Sequence, residues 1–96
     1  MEDLISEAIE NQKIIEFDYD GYSRTVEPHC LGVSTAGNTV LRAYQVDGFS
    51  SSGRMGWKLY DLNNADGLEI LTETFNGPRD GYNPDDKAMD EIICAL

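Results

Sequence analysis

Six side chains in the first two thirds of the chain are of types that hold anions: Tyr19, His29, Arg42, Tyr44, Arg54 and Lys58. A guanidinium grips carboxylate or phosphate oxygens in pairs, and an ammonium acts as a point charge. An aromatic ring offers a face on which a base can stack. Arg42 and Tyr44 lie two residues apart, so on a strand they share one face with Val40 and Val46. That face is expected to point inward. A half-buried arginine there needs an anionic partner, because an unpaired buried charge is expensive. The partner is either one of the 18 acids or a ligand. Arg42 aimed at an open pocket would indicate a ligand, and Arg42 against Asp or Glu a scaffold. Tyr19 also reads as core on an apolar strand face, and His29 as a surface residue bonded to a carboxylate. Arg24 and Arg79 read as surface charges. The connection Asp47–Gly56 holds three serines and Arg54, and its amides suit an anion as a small nest does. It reads equally as a hairpin loop without a ligand. It is not a P-loop, since the spacing and the closing Lys-Ser/Thr are missing.

Catalytic constellations are poor. A single histidine stands in no Ser-His-Asp spacing, and no close carboxylate pair is evident, so the expectation is a non-enzyme. One histidine and no CxxC leave no ligand set for a metal, and no cofactor is expected. Cys30 and Cys94 are far apart and are expected to stay reduced in a cytoplasmic chain.

The elements that must position these residues follow from periodicity. Leu4, Ile5, Ala8 and Ile9 fall at helical spacing among acids, which predicts a short amphipathic helix over about residues 3–12. Ile15, Phe17 and Tyr19 alternate with Ile14, Glu16 and Asp18 as a first strand, closed by the turn signal Asp20-Gly21. A second strand carries Val26, Pro28 and Cys30 on one face and Thr25, Glu27 and His29 on the other. Pro28 makes it an edge or a bulge there. Thr35–Asn38 turns the chain into the third strand, Met55–Leu62 forms a fourth, Asn63–Gly67 reads as a turn, and Leu68–Leu71 suggests a short fifth. Breakers at Asn76-Gly77-Pro78 and Asp80-Gly81 mark a loop. Asn83-Pro84-Asp85-Asp86 carries helix-start chemistry, and Met89, Ile92, Ile93 and Leu96 supply a stripe. A second helix is therefore expected over about 84–95. This order indicates an α+β domain with a small, strongly bent antiparallel sheet.

Two pieces are more specific than the pattern. Pro28-His29-Cys30-Leu31 reads as "PHxL", and Leu41-Arg42-Ala43-Tyr44 as "vRAY". Ahead of them lie Ala8, Ile9, Ile15, Phe17 and Tyr19, and behind them Trp57–Leu62. In this order the pieces resemble the WYL domain over about residues 4–72. Asp61 stands where that family has a basic residue, leaving Lys58 as the basic residue of the strand. The resemblance implies an Sm-like antiparallel β-barrel over about 13–72, with a helix before it and a C-terminal extension, 73–96, after it. It also implies a regulatory role triggered by nucleic acid or a nucleotide. Such domains usually accompany a helix-turn-helix. This chain has no room for one, so a stand-alone WYL-like module is expected. On this analogy Tyr19, His29, Arg42 and Lys58 line one concave patch near Ser50–Arg54.

The chain is one domain of 96 residues, with a formal net charge of −11. Residues 1–20 carry seven acids and one lysine, and residues 61–96 nine acids and two basic residues, whereas 21–60 carry four basic residues and two acids. The acidic ends argue against long nucleic acids, whose binding rests on neutralising phosphates. The middle is a mildly basic island. No apolar run long enough to span a membrane and no signal peptide are present, so the cytoplasm is the expected compartment. The leading expectation is a non-catalytic module for a small anionic ligand such as a nucleotide. The alternatives are a protein-interaction or homodimerisation module and a single-strand nucleic-acid binder.

Overall fold

The computed structural model describes all 96 residues. Helix α1 spans Glu2–Glu10, with Glu2 and Asp3 placed favourably at the positive end of its dipole. Its stripe Ile5, Ala8 and Ile9 is buried. Asn11 stops it, donating from Nδ2 to the Glu7 carbonyl at 3.0 Å, and Gln12 turns the chain at φ 51°. Strand β1, Lys13–Tyr19, meets β2, Tyr22–Ser34, through a two-residue turn. Asp20 and Gly21 both have positive φ, the geometry that lets a tight hairpin follow the sheet's twist. Strands β3 (Thr39–Gly48), β4 (Gly56–Asp61), β5 (Ala65–Thr74) and β6 (Met89–Ala95) complete the chain, with a 3-10 turn at Leu62–Asn64.

The sheet is antiparallel with the order β4-β3-β2-β1-β5, and β6 also pairs with β2. Strand β2 is the pivot. It pairs with β3 along nearly its whole length, with β1 from Tyr22 to Val26, and with β6 from Cys30 to Ser34. The register slips between Pro28 and Cys30, so His29 is bulged out and the strand's faces exchange there. Val26 and Leu31 therefore lie in one core, while Cys30 lies in another.

Two expectations are corrected. The sheet is not a closed barrel: β4 and β5 end the strand path and form no ladder with each other. The helix fills the concave side instead, where Ile5, Ala8 and Ile9 pack with Phe17, Val26, Leu31, Leu41 and Tyr60. There is also no C-terminal helix; residues 89–95 are strand β6. The capping chemistry is used locally, since Asn83 Oδ1 accepts from the Asp85 amide and Asp86 Oδ1 from the Ala88 amide, both at 3.0 Å. Asn and Asp form such turns as readily as they cap helices. Strand β1 stops pairing at Val26, which leaves the rest of that edge of β2 open, and β6 occupies it. No helix is long and apolar enough to cross a membrane.

Candidate functional site

The inward face of β3 is Leu41, Ala43 and Gln45, all fully buried, and not the Arg42 face. Arg42 and Tyr44 stand on the opposite side of the sheet, under the segment that links β5 to β6. This segment, residues 75–88, forms a second layer over His29, Trp57, Cys30 and Val40. Three clamps hold it there.

His29 is the first. Its bulge sets the ring fully buried between Trp57, Phe75 and Tyr82, with centroids 4.7, 5.5 and 5.2 Å away. Nδ1–H donates to the Glu27 carbonyl at 2.8 Å, and Nε2 accepts the Arg79 backbone N–H at 3.1 Å. Only the neutral Nδ1–H tautomer satisfies both bonds. Burial lowers the ring's pKa from its ordinary 6.5, in keeping with this arrangement. The second clamp is a bidentate pair: Arg79 Nε and Nη2 donate to the two Glu27 oxygens at 2.8 and 2.9 Å. The Arg79 guanidinium also lies 4.4 Å from the centre of the Tyr44 ring, covering the face proposed for stacking.

The third clamp is Arg42 itself. Nε donates to Asp86 Oδ2 at 2.7 Å and Nη2 to Oδ1 at 3.2 Å. The side chains are 27% and 8% exposed. The guanidinium beside it holds the Asp86 carboxyl below its ordinary range. Register explains why the two sequence pieces meet: Pro28 faces Ala43, Cys30 faces Arg42 and Leu31 faces Leu41 across β2 and β3. The nearby acids are weak. Burial pushes Tyr82 up to about 12 and raises the Cys30 thiol, whose Sγ lies 3.5 Å from Met89 Sδ. A thiol held protonated in this way is a poor nucleophile.

Beside the third clamp a cavity of about 400 Å³ opens, lined by Arg42, Trp57, Tyr82, Asn83, Asp86 and Lys87 among others. Trp57 and Tyr82 are near-parallel at 6.1 Å, and Trp57 Nε1 donates to the Asp80 carbonyl at 3.0 Å. Trp57 is thus a wall of this cleft.

The six expected site residues divide between the two sides of the sheet. His29, Arg42 and Tyr44 belong to the layer just described. Tyr19 lies on the helix side with Phe17 and Tyr60, and its hydroxyl accepts the Asp61 backbone N–H at 3.1 Å. Lys58, opposite Ala43 on that same side, reaches Ser50 and Ser52. Arg54 is exposed in the Ser50–Arg54 loop. The single patch joining Tyr19, His29, Arg42 and Lys58 does not form. Arg24, expected at the surface, is only 7% exposed. Tyr82, Asp86, Lys87 and Glu27 are missing from the sequence reading of the site, because local signals assign 84–95 to a helix and give no hint that 75–88 folds back over β2 and β3.

No family model, no curated protein and no solved structure matches the chain.

Proposed function

We propose that the protein is a non-catalytic binding module whose ligand is a small anion such as a nucleotide, taken up in the cavity beside Arg42. The cavity carries the proposal. Its volume is in the usual range for small-molecule sites, about 300–1,000 Å³. It combines two aromatic walls with Arg42 and Lys87 in a chain of net charge −11. Asp86 occupies only the Nε/Nη2 edge of the guanidinium. Five N–H donors in a planar fork leave the Nη1/Nη2 end for a second acceptor. In this reading the resemblance of Pro28–Leu31 and Leu41–Tyr44 to the WYL domain makes the chain a WYL-like regulatory module.

One observation favours the second reading, an interaction or oligomerisation module without a small ligand: Arg42 lies against an aspartate, as a scaffold residue does. The substitution Arg42→Ala separates the two. With a ligand site, wild-type melting rises with one or more of a panel of mono-, di- and oligonucleotides, and Arg42→Ala loses about tenfold to a hundredfold in affinity through lost charge-assisted hydrogen bonds. No shift with any anion, together with a large melting loss in the variant, would sink the ligand reading and leave the interaction module.

A further inference from the structure

Of the seven lysines and arginines, only Arg42 and Arg79 are ion-paired, although 18 acids are present. Three of the other five, Arg24, Arg54 and Lys58, gather around the connection between β3 and β4. The half-buried Lys58 ammonium donates to Ser50 Oγ at 3.0 Å and Ser52 Oγ at 3.3 Å. The two hydroxyls are 3.0 Å apart, and Ser52 Oγ also accepts the Arg54 backbone N–H at 3.3 Å. An ammonium has three donors, so one N–H of Lys58 remains. One hydroxyl proton is spent between the serines, and the other remains. Exposed Arg54 adds a guanidinium free of any carboxylate.

Behind the loop lies a further charge without a counter-ion. Arg24 stands opposite Gly48, with its guanidinium 5.2 Å from the Phe49 ring and 5.3 Å from the Tyr19 ring. Its one hydrogen bond is a long one, 3.4 Å from Nη2 to the Tyr19 carbonyl, and its Nε has no partner. A buried cation with no anion in the protein is expensive, and a bound anion offsets that cost.

The geometry points to a phosphate site at this loop: a phosphate dianion, free or as a monoester, seated on Lys58, Ser50 and Ser52, with Arg54 closing over it and Arg24 supplying charge from beneath Phe49. Free donors from one ammonium, one guanidinium and one hydroxyl suit a tetrahedral oxyanion better than a planar carboxylate. The unneutralised positive charge matches a doubly charged group. The site is on the helix side of the sheet, away from the Arg42 cavity, and stands whether or not that cavity holds a ligand.

The test is a titration of the ¹⁵N-labelled full chain with inorganic phosphate and with phenyl phosphate, at constant ionic strength balanced by chloride. Saturable shifts confined to the Ser50–Arg54 and Lys58 amides are expected, with Gly81, Tyr82 and Asn83 still. Lys58→Met should weaken binding about tenfold or more, the loss of one charge-assisted hydrogen bond. Arg54→Gln, at an exposed position that the fold does not depend on, should weaken it in the same direction. Tighter binding of phenyl phosphate marks a monoester as the occupant, and tighter binding of inorganic phosphate marks the free ion. Shifts that chloride alone reproduces, or affinity unchanged in Arg54→Gln and in folded Lys58→Met, would overturn the site.

Discussion

Replacing Asp86 with asparagine removes one charge while keeping the side chain's size. In the native protein its carboxylate accepts Arg42 Nε at 2.7 Å and Nη2 at 3.2 Å, and the Ala88 amide at 3.0 Å. The amide oxygen of asparagine can keep the Ala88 bond and one weakened bond to Arg42, while its NH₂ group faces a cation. Exposed ion pairs contribute about 0–1 kcal/mol, and breaking a fully buried one costs about 3–5 kcal/mol. At 8% and 27% exposure this pair lies between those limits, so the loss is about 1.5–3 kcal/mol. In a domain of this size that lowers Tm by roughly 6–20 °C. The pH dependence gives a second check. The folded carboxyl titrates below its ordinary 3.8, so the stability it contributes is fully present above that value and is lost as pH falls through the folded pKa. The gap between wild type and Asp86→Asn is therefore constant near neutrality and closes in acid. Thermal melts from pH 7 to pH 3 measure it, and equal Tm values at pH 7 would refute the clamp. The same variant bears on the cavity: with the competing carboxylate gone, a nucleotide that binds through Arg42 should bind more tightly.

His29 should be mainly neutral in the folded protein at pH 6.5, because burial lowers its folded pKa from that value. Its contribution to stability is full above 6.5 and is lost as pH falls through the folded value; imidazole ¹⁵N shifts showing an imidazolium at pH 6.5 would contradict this. Around it stand Glu27 and Arg79 as charged groups and Tyr82 as a further titratable one. Gly32→Ala should destabilise the protein by about 2 kcal/mol or more, an overpacking cost, because a Cβ there runs into the Glu91 carbonyl oxygen and sits 2.6 Å from Met89 Sδ. Urea unfolding with an unchanged midpoint would show that β6 yields freely. A homodimer is expected because β4, β5 and β6 each keep an unpaired edge. Sedimentation at micromolar concentration that shows only the 10.7 kDa chain would count against it.

Local signals were sufficient where the fold is local. The alternation of Ile15, Phe17 and Tyr19, the Asp20-Gly21 turn and the stripe of α1 all appear where periodicity and turn chemistry place them. They failed where a long-range partner decides. Met89, Ile92, Ile93 and Leu96 fit a helical stripe, yet a run this short, with two adjacent β-branched residues, fits a strand as well. What selects the strand is the vacant edge of β2 beyond Val26, a consequence of β1 beginning only at Lys13, more than seventy residues earlier, to which no local pattern is sensitive. The site shows the same limit. That Pro28 would disturb β2 was legible, and so was the need of Arg42 for an anion. The identity of that anion was not, because Asp86 reaches Arg42 only after residues 75–88 have folded across the sheet.

The bulge at His29 joins these observations. A bulge exchanges the faces of β2, so Val26 and Leu31 both serve the helix-side core although they stand five positions apart, which would put them on opposite faces of a regular strand. That exchange also places Cys30 opposite Arg42, next to His29 on the second-layer side. Without it, strict alternation would put Leu31 on the Arg42 side and Cys30 against the helix. The segment 75–88 would then meet Leu31 in place of the small side chain that makes room for Tyr82 and Met89. The Arg42 cavity is walled by Tyr82, Asn83, Asp86 and Lys87 from this segment. Its existence therefore depends on a proline-flanked irregularity in the middle of the longest strand, and substitutions that regularise β2 at His29 should abolish the cavity and withdraw Leu31 from the helix-side core.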